Sequence, residues 1–163
     1  MYQVLNLADI PEDSPVFSMA TYYSNLPCEG AAGSEFSPVP FWNDFDPAGI
    51  RKILSWTMVM QRDGPNPEGH LIKLEGQRIV EASGVNSMGK TLAEAFDPKM
   101  AKIKWEEMEM VAQERRCSFT RSPVPRSDRS FIDIYRGCFP FCDATGKINR
   151  LVIIVAPVDD KVF

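Results

Sequence analysis

The feature that most constrains this chain is the helix written between Pro98 and about Arg116, with strand-like segments on both sides of it. At 100° per residue, Ala101, Trp105, Met108 and Ala112 fall on one narrow stripe flanked by Met100 and Val111. A helix with one such stripe must lay it on something apolar, and strand-type segments supply that surface. Trp56 to Gln61 and Gly69 to Leu74 flank a Gly/Pro-rich turn and read as an antiparallel hairpin. Cys117 to Ser122, Ser130 to Cys142 and Ile148 to Ala156 form a second group, the last two joined by Asp143-Ala-Thr-Gly146-Lys147. Short helical turns are expected at Gln77 to Ala82 and Leu92 to Ala95.

Helix starts are marked twice by the same tripeptide, Phe45-Asp46-Pro47 and Phe96-Asp97-Pro98. The Asp accepts from unpaired N–H groups, Pro takes the position whose N–H has no partner, and the Phe staples the first turn. Phe45 is expected to meet Ile50, and Phe96 to meet Ala101. Ile103 and Met110 fall opposite the main stripe, where the front helix or a second subunit covers them or they sit exposed, as scattered apolar side chains commonly do.

The front of the chain differs from the rest. Residues 1–50 hold seven acids and no Lys or Arg, whereas the whole chain carries −4. Part of the compensating charge comes late, in Arg115, Arg116, Arg121, Arg126, Arg129, Arg136 and Arg150. Ser14 as cap and Pro15 at the first helical position predict a helix through Val16 to Leu26, and Pro27 to Pro40 reads as linker. The domain reading is an acidic N-terminal extension, 1–40, and one main unit, 41–163. The acidic balance argues against nucleic acid as partner. No long apolar run argues for a membrane span or a signal peptide. The expected address is the cytoplasm, with Cys28, Cys117, Cys138 and Cys142 as thiols.

The order helix, two strands, short helices, one long helix, three strands resembles a PAS domain. The residues carrying the likeness are Asp44-Phe-Asp-Pro-Ala-Gly-Ile-Arg-Lys-Ile-Leu54, Gly76-Gln-Arg-Ile-Val-Glu-Ala-Ser-Gly84 with Val-Asn-Ser-Met-Gly89-Lys-Thr-Leu after it, and Phe139-Pro-Phe141. Over about residues 42–157 the chain is similar to single-domain bacterial PAS proteins. The resemblance implies an α+β fold: a five-stranded antiparallel sheet with helices packed across one face, here with an N-terminal helical extension. It further implies a small-molecule cavity, dimerisation through flanking helices, and a stand-alone sensor, since kinase or cyclase activity in such proteins resides in attached domains.

Chemical motifs are sparse. Gly84-Val-Asn-Ser-Met-Gly89-Lys90-Thr91 satisfies the phosphate-loop pattern, but no strong strand precedes it and no long helix follows it. His70, the single histidine, cannot build a nucleophile–base set by spacing alone and reads as a solvated or capping residue. Haem held by His70 is disfavoured because the ligand in comparable sensors commonly lies on the long helix. Flavin is disfavoured because Cys117 lacks the context of the light-sensing domains. Cys138 and Cys142 lie about 13 Å apart on a continuous strand and read as core residues unless Pro140 breaks it. Glu106, Glu107 and Glu109 read as a solvated face of the long helix. Asp133 shares a strand face with Phe131 and Tyr135, and Arg121 or Arg150 could pair with it.

Three functions follow. The first is a sensor with a cavity between the long helix and the sheet, lined by Trp105, Met108, Phe119, Tyr135 and Ile154 and suited to an apolar or aromatic ligand. The second is a ligand-free module that dimerises or docks a signalling protein. The third is a small enzyme using Asp133 and Tyr135. The first is preferred, with no catalytic residue, no metal ligand and no named cofactor, a small molecule as ligand, a homodimer as assembly and a signalling protein as a further partner.

Overall fold

Two ten-residue apolar strands, Asp133–Cys142 (β5) and Ile148–Pro157 (β6), form the middle of the sheet. Their turn is written by Asp143, whose Oδ1 accepts from the N–H groups of Thr145 and Lys147. Gly146 supplies the left-handed residue at φ 86°. The structure, a computed structural model, describes residues 2–28, 38–124 and 128–159.

Around this hairpin stand Gln3–Leu5 (β1), Thr57–Arg62 (β2), His70–Glu75 (β3) and Ser118–Pro123 (β4). All pairings are antiparallel, in the order β1-β4-β5-β6-β2-β3. The sheet therefore contains the five expected strands and a sixth. β1 is only three residues long and gains its stability from pairing with β4 across more than a hundred residues of chain, which no local pattern reveals. The helices are Pro15–Ser24 (α1), Gln77–Ser83 (α2), Leu92–Ala95 (α3) and Pro98–Glu114 (α4). Both Asp-Pro starts are capped as expected, Asp46 accepting from Ala48 N–H at 3.0 Å and Asp97 from Met100 N–H at 3.0 Å. The first opens a 3-10 segment, Pro47–Trp56, kinked at Ile50. Phe45 stacks on Trp42, with ring centres 4.8 Å apart, and sets its edge against Phe141.

Pro140 does not break β5. Residues two apart on a strand direct their backbone groups to the same side. Cys142 N–H donates to Pro40 O on the side where β4 has already ended opposite Cys138, so Pro140 turns its missing N–H toward a side with no strand. Its carbonyl accepts the Tyr23 hydroxyl at 2.7 Å.

Both faces of the sheet are apolar and both are covered. One carries Met58, Met60, Cys138, Leu151 and Ile153 beneath Met108 and Val111 of α4, with Ile79 of α2 and Leu92 of α3. The other carries Val59, Phe139, Phe141, Val152 and Ile154 beneath Val16 and Met19 of α1 and Ile50 and Ile53 of the 3-10 segment. The N-terminal helix thus caps its own sheet. Residues 29–37 of the expected linker lie outside the described residues, but Val39 at its end is fully buried in the first core. Because α1 lies across the opposite face, it does not cover Ile103 and Met110, which stand 41% and 42% exposed.

Candidate functional site

α4 positions the site. With Asp97 and Pro98 fixing its first turn, Met108 points into the protein. Glu107 and Glu109 then project about 100° to either side. Both were expected in solvent, and both are 7% exposed. A wheel drawn around one stripe assumes a flat neighbour, whereas this sheet reaches both flanks of the helix. Glu107 pairs with buried Arg136 of β5 and also accepts from Ser118 Oγ at 3.2 Å. Glu109 accepts from Arg62 Nε at 2.7 Å and Nη2 at 2.8 Å, a two-pronged contact from β2. His70 Nε2 lies 3.1 Å from the same carboxylate. Two ion pairs therefore clamp α4 to the sheet.

Burial alone would raise the Glu109 carboxyl, but the Arg62 hydrogen bonds and charge, with His70 adding, outweigh it and hold the group below the usual carboxylate range. His70 is fully buried, which corrects the solvated reading. Its Nδ1 lies 2.9 Å from the Asn66 carbonyl, so both ring nitrogens are engaged and neither has a lone pair directed at a cavity. That arrangement offers no axial ligand.

Between α4 and the sheet, closed at one end by α2 and α3, lies a cavity of about 320 Å³. Its walls are Met58, Ile134, Ile153 and Val155 of the sheet, Ile79 and Ala82 of α2, Leu92 and Ala95 of α3, Phe96, and Met108 of α4. Lys104 and Arg136 supply cations to the wall, and Glu75 and Asp97 supply carboxylates. A second groove, of about 470 Å³, adjoins the first across Lys104, Val124, Ile134 and Arg136 and extends toward Tyr2 and Ile103. Burial, reinforced by the charge of Arg136 and opposed by Glu107, pulls the Lys104 ammonium down to about 7. Its Nζ rests 4.9 Å from the centre of the Phe96 ring.

Of the five residues expected to line the cavity, Met108 does. Trp105 packs beside the same core, partly buried, and its indole N–H is buried without an acceptor among the described residues. Phe119, Tyr135 and Ile154 lie on the opposite face of the sheet, against the α1 core. The reason is the strand period of two: Ile134 and Arg136 face the cavity, so Tyr135 cannot, and Ile153 and Val155 likewise exclude Ile154. Since both faces are apolar, alternation alone did not say which one carries the long helix. Lys104 and Arg136 could have been found as cations interrupting apolar runs on α4 and β5.

The remaining motifs take structural roles. Gly84 ends α2 in the left-handed conformation, Gly89 N–H donates to Ile72 O, and only one helical turn follows Thr91. A helix thus precedes the glycine-rich segment where a phosphate loop needs a strand. Asp133 pairs with Arg121 at 2.9 Å on the α1 side of the sheet and is partly exposed, away from the cavity. Cys138 and Cys142 are buried with free thiols, and burial pushes Cys138 well above the usual thiol range. Cys117 belongs to the α1 face, and burial pushes its thiol up to about 12, so it stays protonated. No group of metal-binding side chains occurs among the described residues, and no described helix is long and apolar enough to cross a membrane.

No family model and no curated protein matches this sequence. Solved structures do. The PAS domain of Bordetella pertussis BvgS aligns over 69% of this chain and 85% of that domain, at 23% identity and a TM-score of 0.51. Vibrio cholerae VqmA aligns over 64% of this chain at 17% identity and a TM-score of 0.47, and the chain spans about half of VqmA, 47% of its length. A sensory box sensor histidine kinase from Vibrio cholerae aligns over 68% of this chain and 90% of that one, at 13% identity and a TM-score of 0.48. The six-stranded antiparallel sheet, the long helix across one face and the likeness to the BvgS domain together give this chain a PAS-like fold.

Proposed function

We propose that the chain is a sensory module whose input is a small molecule with an apolar or aromatic body, held between α4 and the sheet, and that it acts by binding rather than by catalysis. The observation that carries this reading is the cavity itself. About 320 Å³ falls in the range of small-molecule sites, and side chains from the sheet and three helices, most of them apolar, line it. In this reading residues 41–163 form the sensory unit and residues 1–40 an extension whose strand and helix complete its sheet and cover its second face. The polar groups that catalysis would need are committed elsewhere: Asp133 to Arg121, His70 to Glu109 and Asn66, and Tyr135 to the far face.

Native mass spectrometry of the purified protein, followed by thermal titration with indole and naphthalene, tests the reading. A retained molecule, or a midpoint that rises with ligand concentration, supports it. Replacing Ala82 by Leu and Ile153 by Phe fills the space and should abolish the rise while leaving a cooperative melt. No retained molecule and no shift with either compound would refute it.

A docking module is the second reading, favoured by Val4 of the β1 edge and Tyr2 just before it, 78% and 51% exposed, near the partly exposed Ile103 of the adjoining groove. Sedimentation of the wild type and of Val4→Lys distinguishes it: a dimer dissolved by that change supports assembly through this edge.

A further inference from the structure

Among the described residues, Arg136 alone of the four charged side chains lining the cavity is held in an ion pair. Arg136 enters from β5 and Lys104 from α4, and Glu107, whose charge acts on Lys104, is taken by Arg136 and by Ser118 Oγ. Asp97 at the rim is occupied by the first turn of α4, where it accepts from Met100 N–H. Glu75 of β3 accepts from Ser87 N–H and has Lys90 beside it. From the β1 side the group facing Arg136 and Glu107 is the Tyr2 phenol, which burial raises and keeps neutral. β4 contributes only hydroxyls there, from Thr120 and Ser122. Among the described residues no carboxylate lies within ion-pairing distance of Lys104, whose only close partner is the face of Phe96. Lys104 is partly buried, and an ammonium drawn partly out of water with no ion-pair partner is stabilised by an anion that reaches it.

Resting on the sensory reading above, we propose that the ligand of this cavity is a small monocarboxylate with an apolar or aromatic body, its charge met by Lys104 beside Arg136. The apolar walls from Met58, Ile79, Leu92 and Ile153 receive the body of the molecule, and Phe96 borders the charged end. The ligand supplies the partner that Lys104 lacks: Arg136 faces Glu107, and Lys104 faces the ligand. Burial and the charge of Arg136 pull the Lys104 ammonium down to about 7, so part of the amine is neutral at pH 8. An arriving carboxylate favours the ammonium, so binding draws a proton from solution, and affinity falls as pH rises past neutrality.

Isothermal titration of the full chain with three matched pairs tests this: indole-3-acetate and indole-3-acetamide, benzoate and benzamide, hexanoate and hexanamide. At pH 6.5 at least one acid should bind at least tenfold more tightly than its amide. The preference should shrink below threefold in Lys104→Met and persist in Lys104→Arg. Repeating the favoured acid at pH 8 in two buffers of different ionisation enthalpy should show net proton uptake in the wild type and none in Lys104→Met. Replacing a partly buried ammonium that has no ion-pair partner among the described residues by an apolar side chain of similar length should not lower the thermal midpoint, so loss of preference in Lys104→Met is not loss of fold. Amides that bind as tightly as acids overturn the carboxylate assignment and leave the sensory reading standing, as does an acid preference that survives in Lys104→Met. If neither acids nor amides bind, and indole and naphthalene also fail, both readings fall together.

Discussion

Replacing Glu109 by Gln should be among the most damaging single-atom exchanges in this protein. The carboxylate accepts two bonds from Arg62, at 2.7 and 2.8 Å, and stands 3.1 Å from His70 Nε2. Removing one partner of a fully buried pair costs about 3–5 kcal/mol. Two facts reduce that here. The Arg62 side chain is 16% exposed and keeps some water, and Gln retains one acceptor oxygen. The expected loss is therefore about 2–3 kcal/mol. Unfolding entropy of about 2.1 cal/mol/K per residue over 163 residues converts this to a midpoint lowered by roughly 6–9 °C. Scanning calorimetry of wild type, Glu109→Gln and Glu106→Gln measures it. Glu106 pairs with Lys102 at 3.8 Å on the exposed flank, and its loss should cost less than about 0.5 kcal/mol. The pH dependence adds a second check. The folded protein holds Glu109 below its unfolded value, so its contribution is fully present above about pH 4.3 and is lost as pH falls through the folded value. The gap between wild type and Glu109→Gln should narrow below about pH 4. Equal midpoints for Glu109→Gln and Glu106→Gln at pH 7 would refute the clamp.

Two further substitutions probe the packing that supports the cavity. A Cβ at Gly76 would lie 2.3 Å from Ser55 O and 2.7 Å from Leu54 O, both backbone, so Gly76→Ala must displace the segment leading into β2. Its urea midpoint should fall by an amount worth more than about 2 kcal/mol at an unchanged slope. Trp105→Phe removes the buried indole N–H that lacks an acceptor and keeps most of the ring's packing, so it should change stability by less than about 1 kcal/mol. A loss above about 2 kcal/mol in the same urea melts would show that the N–H is bonded after all.

Much of the backbone could be read from the chain, because its signals are local. Asp97-Pro98 starts α4 where the capping chemistry says, and Asp143 with Gly146 sets the β5–β6 turn. The site was less legible, because its decisive facts are not local. Cys138 beside Phe139 and Ile153 beside Ile154 give both faces of the sheet the same apolar character, so no pattern assigned the cavity to one of them. Glu107 and Glu109 follow the grammar of an exposed helix flank until Arg136 and Arg62, from distant strands, are brought to them. β1 escaped for the same reason, three residues having no meaning until β4 lies beside them.

The covering of the sheet on both faces couples its two compartments mechanically. Ile153 touches the cavity and Ile154, the next residue, touches the core under α1. On β5, Arg136 and Tyr135 divide in the same way. The partition between the two compartments is one peptide unit thick, and Tyr23 fastens α1 to it through the Pro140 carbonyl. A wall that thin has no slack: a side chain pushed aside within the cavity moves the same backbone on which the N-terminal helix rests.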